Sequence, residues 1–318
     1  MSQEMNVNVT PGAGSNPFEK IGRDQNGGER IVRKSLTAWQ NIRRNLYENK
    51  LSMVGLYFII AIALMAIFAP WVTGLITGYN YFANELANAN QPPSWAHWFG
   101  TDDLGRDMWV RTWKGAQISL FVGIAAALID LVIGIVYGGI MGYFGGKVDE
   151  TMNRIAEILY AIPYLLVVIL LMVVMPQSLT TIIVAMSITG WINMAWIVRG
   201  EIMRLKNQEY ALASKALGAG SMRIIFRHLI PNAMGPILVT LTLTIPGAMF
   251  TEAFLSFLGM GVKSPVASWG TMIDNGRQAM TTYPWRIMFP ALFLAVSMFA
   301  LNVFGDGLRD AFDPKMKK

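Results

Sequence analysis

Between two long apolar runs lies Glu209–Asn232, EYALASKALGAGSMRIIFRHLIPN, a charged, glycine-punctuated stretch with the periodicity of two short helices. Asn207 is placed to cap a helix starting near Gln208, with Glu209 at its positive end and Ala213, Ala216 and Leu217 on a small apolar face. Gly218, Ala219 and Gly220 stop that helix. Ser221 is placed to cap a second one, in which Ile224, Ile225, His228 and Leu229 share a face and Arg223 and Arg227, at i and i+4, share another. Pro231 ends the turn and opens the next apolar run. Small residues such as Ala213 and Ser214 let a helix sit deep in a partner's groove, which bulky side chains would prevent. A polar hairpin inside an apolar chain therefore implies a soluble partner; the alternative is an amphipathic loop packed on its own bundle.

The rest of the chain belongs in lipid. Apolar residues make up 53%, charged residues 14%, and mean hydropathy is +0.40, well outside the balance of a soluble domain. Stretches long enough to cross hydrocarbon, uncharged but for Asp130 in the second, lie at 51–75, 116–142, 158–175, 179–198, 232–251 and 287–305. The third and fourth come from one uncharged run, Ile158 to Val198, broken at Pro176-Gln177-Ser178. The expected organisation is a tail at 1–50, a first transmembrane helix at 51–75, a loop at 76–115, a core of five helices at 116–305 containing the loop 199–231, and a tail at 306–318. Six helices return both termini to one side.

Cationic residues choose that side. Segments 1–50, 143–157, 199–231 and 306–318 hold 8, 2, 6 and 4 Lys and Arg, which is 20 of the chain's 26; the opposite loops 76–115 and 252–286 hold 3 each. The positive-inside rule places both termini and the Gly218 loop in the cytoplasm. This bias also explains the net charge of +6, so nucleic-acid binding is not needed to account for it. The first 50 residues lack the apolar core and cleavage site of a secretory signal, and from Arg33 cationic and apolar residues alternate as in an interfacial helix, with Trp39 and Tyr47 at headgroup depth.

Several chemistries lack their residues. The chain has no cysteine, and its two histidines, His97 and His228, fall on opposite expected faces, so they do not form one metal site. Gly145-Gly146-Lys147-Val148 lacks the earlier glycine and the following Ser or Thr of a phosphate-cradling loop, so ATP and its magnesium are expected in other chains. No convergent nucleophile, base or metal set suggests a membrane enzyme. One acid lies mid-span: Asp130, in FVGIAAALIDLVIGIVYGG, is expected to face the bundle, a water-filled path or a partner subunit. An ion-coupled secondary carrier using Asp130 is the competing class. Gly134 and Gly138 have the small-xxx-small spacing of close helix contacts, within the chain or at a subunit interface. Glu157 and Glu252 fall at span ends and read as interfacial. The 21 methionines read as adaptable packing.

The hairpin resembles the coupling loop of ABC importer permeases, whose pattern is Glu-Ala-Ala, three residues, Gly, nine residues, then Ile-x-Leu-Pro. Aligned on Gly218 and Pro231 the spacing fits without a gap, although Leu212-Ala213-Ser214 stands where Glu-Ala-Ala is expected and His228-Leu229-Ile230-Pro231 replaces Ile-x-Leu-Pro. FGTDDLGRD at Phe99–Asp107, GYFGGKVD at Gly142–Asp149, EAFLSFLGMGVKSPVASWG at Glu252–Gly270 and NVFGDGLRDAFDP at Asn302–Pro314 extend the resemblance to the second membrane subunit of peptide importers. In the FGTDDLGRD string, Asp102 or Asp103 is placed to cap a helix and Arg106 to pair with Asp107.

The resemblance implies an all-α membrane protein with the binding-protein-dependent ABC importer permease (MetI-like) fold, in a bacterial cell membrane. It implies a non-catalytic subunit that pairs with a homologous permease, two cytoplasmic ATPases and an external peptide-binding protein. Glu209, Ala213, Ser214, Gly218, Arg223, Arg227 and Pro231 would dock on an ATPase, and Asp130, Gly134 and Gly138 would serve the pathway or an interface. Oligopeptides are the expected cargo; dipeptides, metal chelates or other small solutes are the alternatives within the family.

Overall fold

The computed structural model describes residues 38–312. The start of the expected interfacial helix at Arg33 and the last two residues of the C-terminal string, Asp313 and Pro314, lie outside them. The order of helices is α1 Ala38–Glu48, α2 Lys50–Thr77, α3 Met108–Phe144, α4 Gly146–Ala161, α5 Tyr164–Val174, α6 Leu179–Leu205, α7 Glu209–Ala216, α8 Ser221–Ile224, α9 Ile230–Asn232, α10 Met234–Leu255, α11 Trp269–Arg277 and α12 Trp285–Phe312. Widened turns with π-type bonding occupy Ile225–Leu229 and Ser256–Met260. Among the described residues there is no strand, only an isolated bridge between Thr101 and Asp107.

Local chemistry sets the ends. Asn49 caps α2, its Oδ1 accepting from Ser52 N at 3.2 Å, and Gly78 closes that helix in the left-handed region at φ 74°. Ser178 caps α6 through Oγ and Thr181 N, 3.1 Å apart. Five helices, α2, α3, α6, α10 and α12, are each long and apolar enough to cross a membrane.

The sixth span has a different form from the one hydropathy predicts. In place of a single helix over 158–175, α4 and α5 meet at an angle of 73°. Pro163 donates no N–H and holds Ile162 in extended backbone, a corner that an average over apolar side chains does not register. With 11 residues α5 is about 16 Å long, about half the hydrocarbon thickness.

The most extensive helix contact joins α3 to α6. A β-carbon at Gly138 would collide with the Ala195 carbonyl, and at Gly134 with the Met194 side chain, so both glycines serve a close approach within the chain. Gly142 continues the row against Arg199 and Ile202. A buried set on α6, α8–α10 and the first widened turn, including Met194, Val198, Ile202, Ile225, Leu229 and Ile237, carries this packing down to the 209–232 hairpin.

Candidate functional site

The hairpin is anchored on one side and bare on the other. Ala211, Ile224, Ile225 and Leu229 are at most 3% exposed and pack onto the end of α6. Leu217 is 88% exposed, and Leu212, Met222 and Phe226 are also exposed, forming an outward apolar ridge. Ala213 and Ala216 face outward beside it. Glu209, Lys215, Arg223 and Arg227 are exposed and have no ion-pair partner among the described residues. Partial burial raises the Tyr210 phenol above its ordinary range.

The hairpin's glycine has a backbone reason. Gly218 adopts φ 80°, Gly218 N donates to Lys215 O at 3.0 Å and Ala219 N to Ser214 O at 3.1 Å. These two bonds are those of a Schellman end, in which glycine takes the left-handed position without steric cost. The expected caps are absent: Asn207 Nδ2 reaches back to Met203 O, and Ser221 begins α8 with Gly220 before it and no side-chain cap. Both helices start on backbone groups instead, with Gln208 O receiving Ala211 N and Leu212 N at 3.0 and 3.1 Å. Pro231 gives no N–H to the Arg227 carbonyl, and the helix widens just before it, Ile230 N bonding to Ile225 O.

Two ties hold neighbouring turns in place around this hairpin. Lys206 Nζ donates to Gly142 O at 2.8 Å and Tyr143 O at 3.2 Å, where α3 ends. Arg199 forks onto Asp149 at 2.6 and 2.7 Å.

Asp130 opens onto a different feature, a cavity of about 620 Å³ between α3, α4–α5, α6 and α10. Tyr160, Tyr164, Thr189, Asn193 and Thr251 line it with Asp130. The carboxylate sits over Gly190, where a β-carbon would come within 2.5 Å of Oδ2. Gly134 and Gly138 are not on this cavity.

The 78–107 segment is built quite differently from the hairpin. Arg106 pairs with Asp102 at 2.7 Å rather than with Asp107, and Arg111 Nε lies 3.3 Å from the same carboxylate. Asp102 also accepts from Leu104 N and Arg106 N, each at 2.9 Å. It is Asp107 that caps a helix, accepting from Val110 N at 2.9 Å while holding His97 Nδ1 at 2.9 Å. Arg286 reaches in from α12 to Asp103 and Asn90, at 3.0 and 3.1 Å.

Glu252 is not interfacial. It is fully buried, receives Ser119 Oγ at 3.1 Å and Ser256 Oγ at 2.9 Å, and through Ser119 connects to Trp269 N. The serines spaced around it on α3 and after α10 are the only sequence signal of this node. Glu157 remains exposed, bonded to Asn153 and Arg154.

Several helices long and apolar enough to cross a membrane, around a cavity that holds one carboxyl group, define a multi-pass membrane protein. Residues 134–318 match the family described as binding-protein-dependent transport system inner membrane component, and residues 37–93 match the N-terminal TM domain of oligopeptide transport permease C. The chain belongs to this family of transport permeases, which are membrane components and not catalysts.

It is 58% identical over 303 residues to the oligopeptide transport system permease protein OppC of Bacillus subtilis, covering 95% of this chain and 98% of that one. It is 52% identical to the dipeptide transport system permease protein DppC of the same organism, covering 91% and 89%, and 40% identical to OppC of Escherichia coli K12, covering 92% and 96%. Among solved structures, an inward-facing form of the MetNI methionine ABC transporter aligns with a TM-score of 0.50 at 18% identity, over 65% of this chain and 97% of that one. That similarity is one of fold.

Proposed function

We propose that the chain forms half of the translocation pathway of an ATP-driven importer of oligopeptides and transmits the work of cytoplasmic ATPases through the 209–232 hairpin. The observation that carries this reading is the anchored hairpin with its bare ridge: Ile224, Ile225 and Leu229 fix it to the bundle while Leu217 is 88% exposed among the described residues. The cationic bias of the flanking segments orients the hairpin and both termini toward the cytoplasm. A homologous permease completes the pathway, two ATPase chains bind ATP and magnesium, and an external peptide-binding protein delivers cargo. Glu209, Ala213, Ser214, Gly218, Arg223, Arg227 and Pro231 belong to the docking element, Gly218 through its turn and Pro231 through the widened helix before it. Closure of the ATPases moves the paired hairpins and shifts the bundle between inward- and outward-open arrangements, driven by the difference in nucleotide affinity between the two states.

Reconstitution in proteoliposomes tests the reading. Tetrapeptide uptake is expected only with both ATPases, ATP and the binding protein present; uptake by this chain alone would overturn it in favour of a carrier using Asp130. A dipeptide cargo is the second reading, favoured by the 52% identity to a dipeptide permease. Competition between dipeptides and tetrapeptides for uptake separates the two.

A further inference from the structure

Four buried side-chain polar atoms lack a hydrogen-bond partner among the described residues: Trp113 Nε1, Asp130 Oδ1, Ser187 Oγ and Thr189 Oγ1. Two of the residues that carry them, Asp130 and Thr189, are among those lining one cavity of about 620 Å³. Buried polar groups without partners carry a cost, and a cavity of this size lies within the range of small-ligand sites.

The lining has a sign. Asp130 is 6% exposed, and no Lys, Arg or His stands with it around the cavity. Thr244 and Thr251, also on the wall, donate their hydroxyl protons to Thr240 O at 2.8 Å and Gly247 O at 3.0 Å. Thr244 Oγ1 is left as an acceptor, while Thr251 Oγ1 is shared with the Tyr164 hydroxyl. The rings of Tyr160 and Tyr164 add π-faces, which attract cations. A cavity with acceptors, one carboxyl group and aromatic faces complements a group rich in N–H donors and positive charge. Gly190 is part of the design, because a β-carbon there would meet both carboxylate oxygens of Asp130, at 2.5 and 2.9 Å.

We propose that this cavity is a transit subsite for a primary ammonium group of the cargo, with Asp130 as its anionic contact and Gly190 as the residue that leaves the carboxylate room. The inference rests on the peptide-import reading and adds to it the chemical group recognised inside the membrane. A free peptide N-terminus supplies that group.

The test uses the complete importer in nanodiscs without its binding protein, so that selectivity of the delivery protein does not enter. Tritiated tetra-alanine and its N-acetylated form are compared by equilibrium binding. The wild type is expected to bind the free amine at least ten-fold more tightly, and Asp130→Asn to abolish that preference. Gly190→Ala, which crowds the carboxylate without removing it, is expected to reduce the preference several-fold and keeps the test open if Asp130→Asn does not assemble. Equal binding of the two peptides by the wild type, or a preference retained in both variants, would overturn the proposal. So would displacement of the bound amine by sodium but not by potassium, which would make the cavity a small-ion site. ATP-driven uptake measured in proteoliposomes from the same preparation reports separately on the transport reading, since uptake by the wild type with no amine preference in binding would sink only the subsite.

Discussion

The 78–107 segment and the 209–232 hairpin are both charged stretches set between apolar helices, yet they use charge in opposite ways. In the first, Asp102, Arg106 and Asp107, with Arg111 from the start of α3, are each at most 6% exposed and all are bonded to one another, to His97 or to backbone. In the second, Glu209, Lys215, Arg223 and Arg227 are exposed, and the buried contacts are made by isoleucine and leucine. Charges satisfied within the chain cannot be offered to another one, because separating a buried pair leaves its members desolvated and unpartnered. The first segment is therefore a closed lock over the bundle. The second leaves its charges open to solvent.

The largest effect is expected from breaking the lock. Asp102→Ala leaves Arg106 and Arg111 buried without their shared carboxylate, a change of about 3–5 kcal/mol. Thermal unfolding of the purified importer and the yield of full-length chain in membranes would show it. A midpoint within a degree of wild type would mean that the segment is not the lock described.

Next comes the proposed docking role of the hairpin. Leu217→Asp, at an 88% exposed position, is expected to leave thermal stability unchanged while weakening co-purification of the ATPases by on the order of ten-fold or more, as for an apolar anchor at an interface centre. Retained co-purification would place docking elsewhere.

Gly218→Ala separates turn geometry from docking. Nothing lies within 4 Å of an added β-carbon, but φ is 80°, so a left-handed alanine costs about 1 kcal/mol. Faster amide exchange confined to 209–220 is the expected readout. Smallest of all, Lys215→Ala, which removes an exposed cation without an ion-pair partner among the described residues, is expected to change stability by less than about 0.5 kcal/mol. A larger loss would show that the hairpin's charges are held more firmly than their exposure indicates.

These contrasts mark what a reading of residues reaches. The long helices, the hairpin with its stop at Gly218 and the burial of Asp130 are all visible in apolar run length, glycine placement and a lone mid-span acid. The individual bonds are less accessible. Arg106 has Asp107 beside it in sequence but pairs with Asp102, because Asp107 turns away to cap α3 and hold His97. Glu252 stands close to Ser256 in the chain, but its other partner, Ser119, is 133 residues away. Pro163 lies within an apolar run, and hydropathy, which averages over side chains, is blind to the corner it makes between α4 and α5.

Sequence by itself determined that the chain crosses a membrane several times, which segments are cationic, and where a polar hairpin interrupts the apolar runs. Those properties depend on side-chain transfer energies and short-range periodicity, which add along the chain. Only the tertiary structure decided which charges close on one another, that Gly134 and Gly138 bring α3 onto α6 of the same chain, and that Asp130 and Thr189 leave unbonded oxygens around one cavity. Those properties depend on which groups are left without water and with which neighbours, and packing between distant segments sets both.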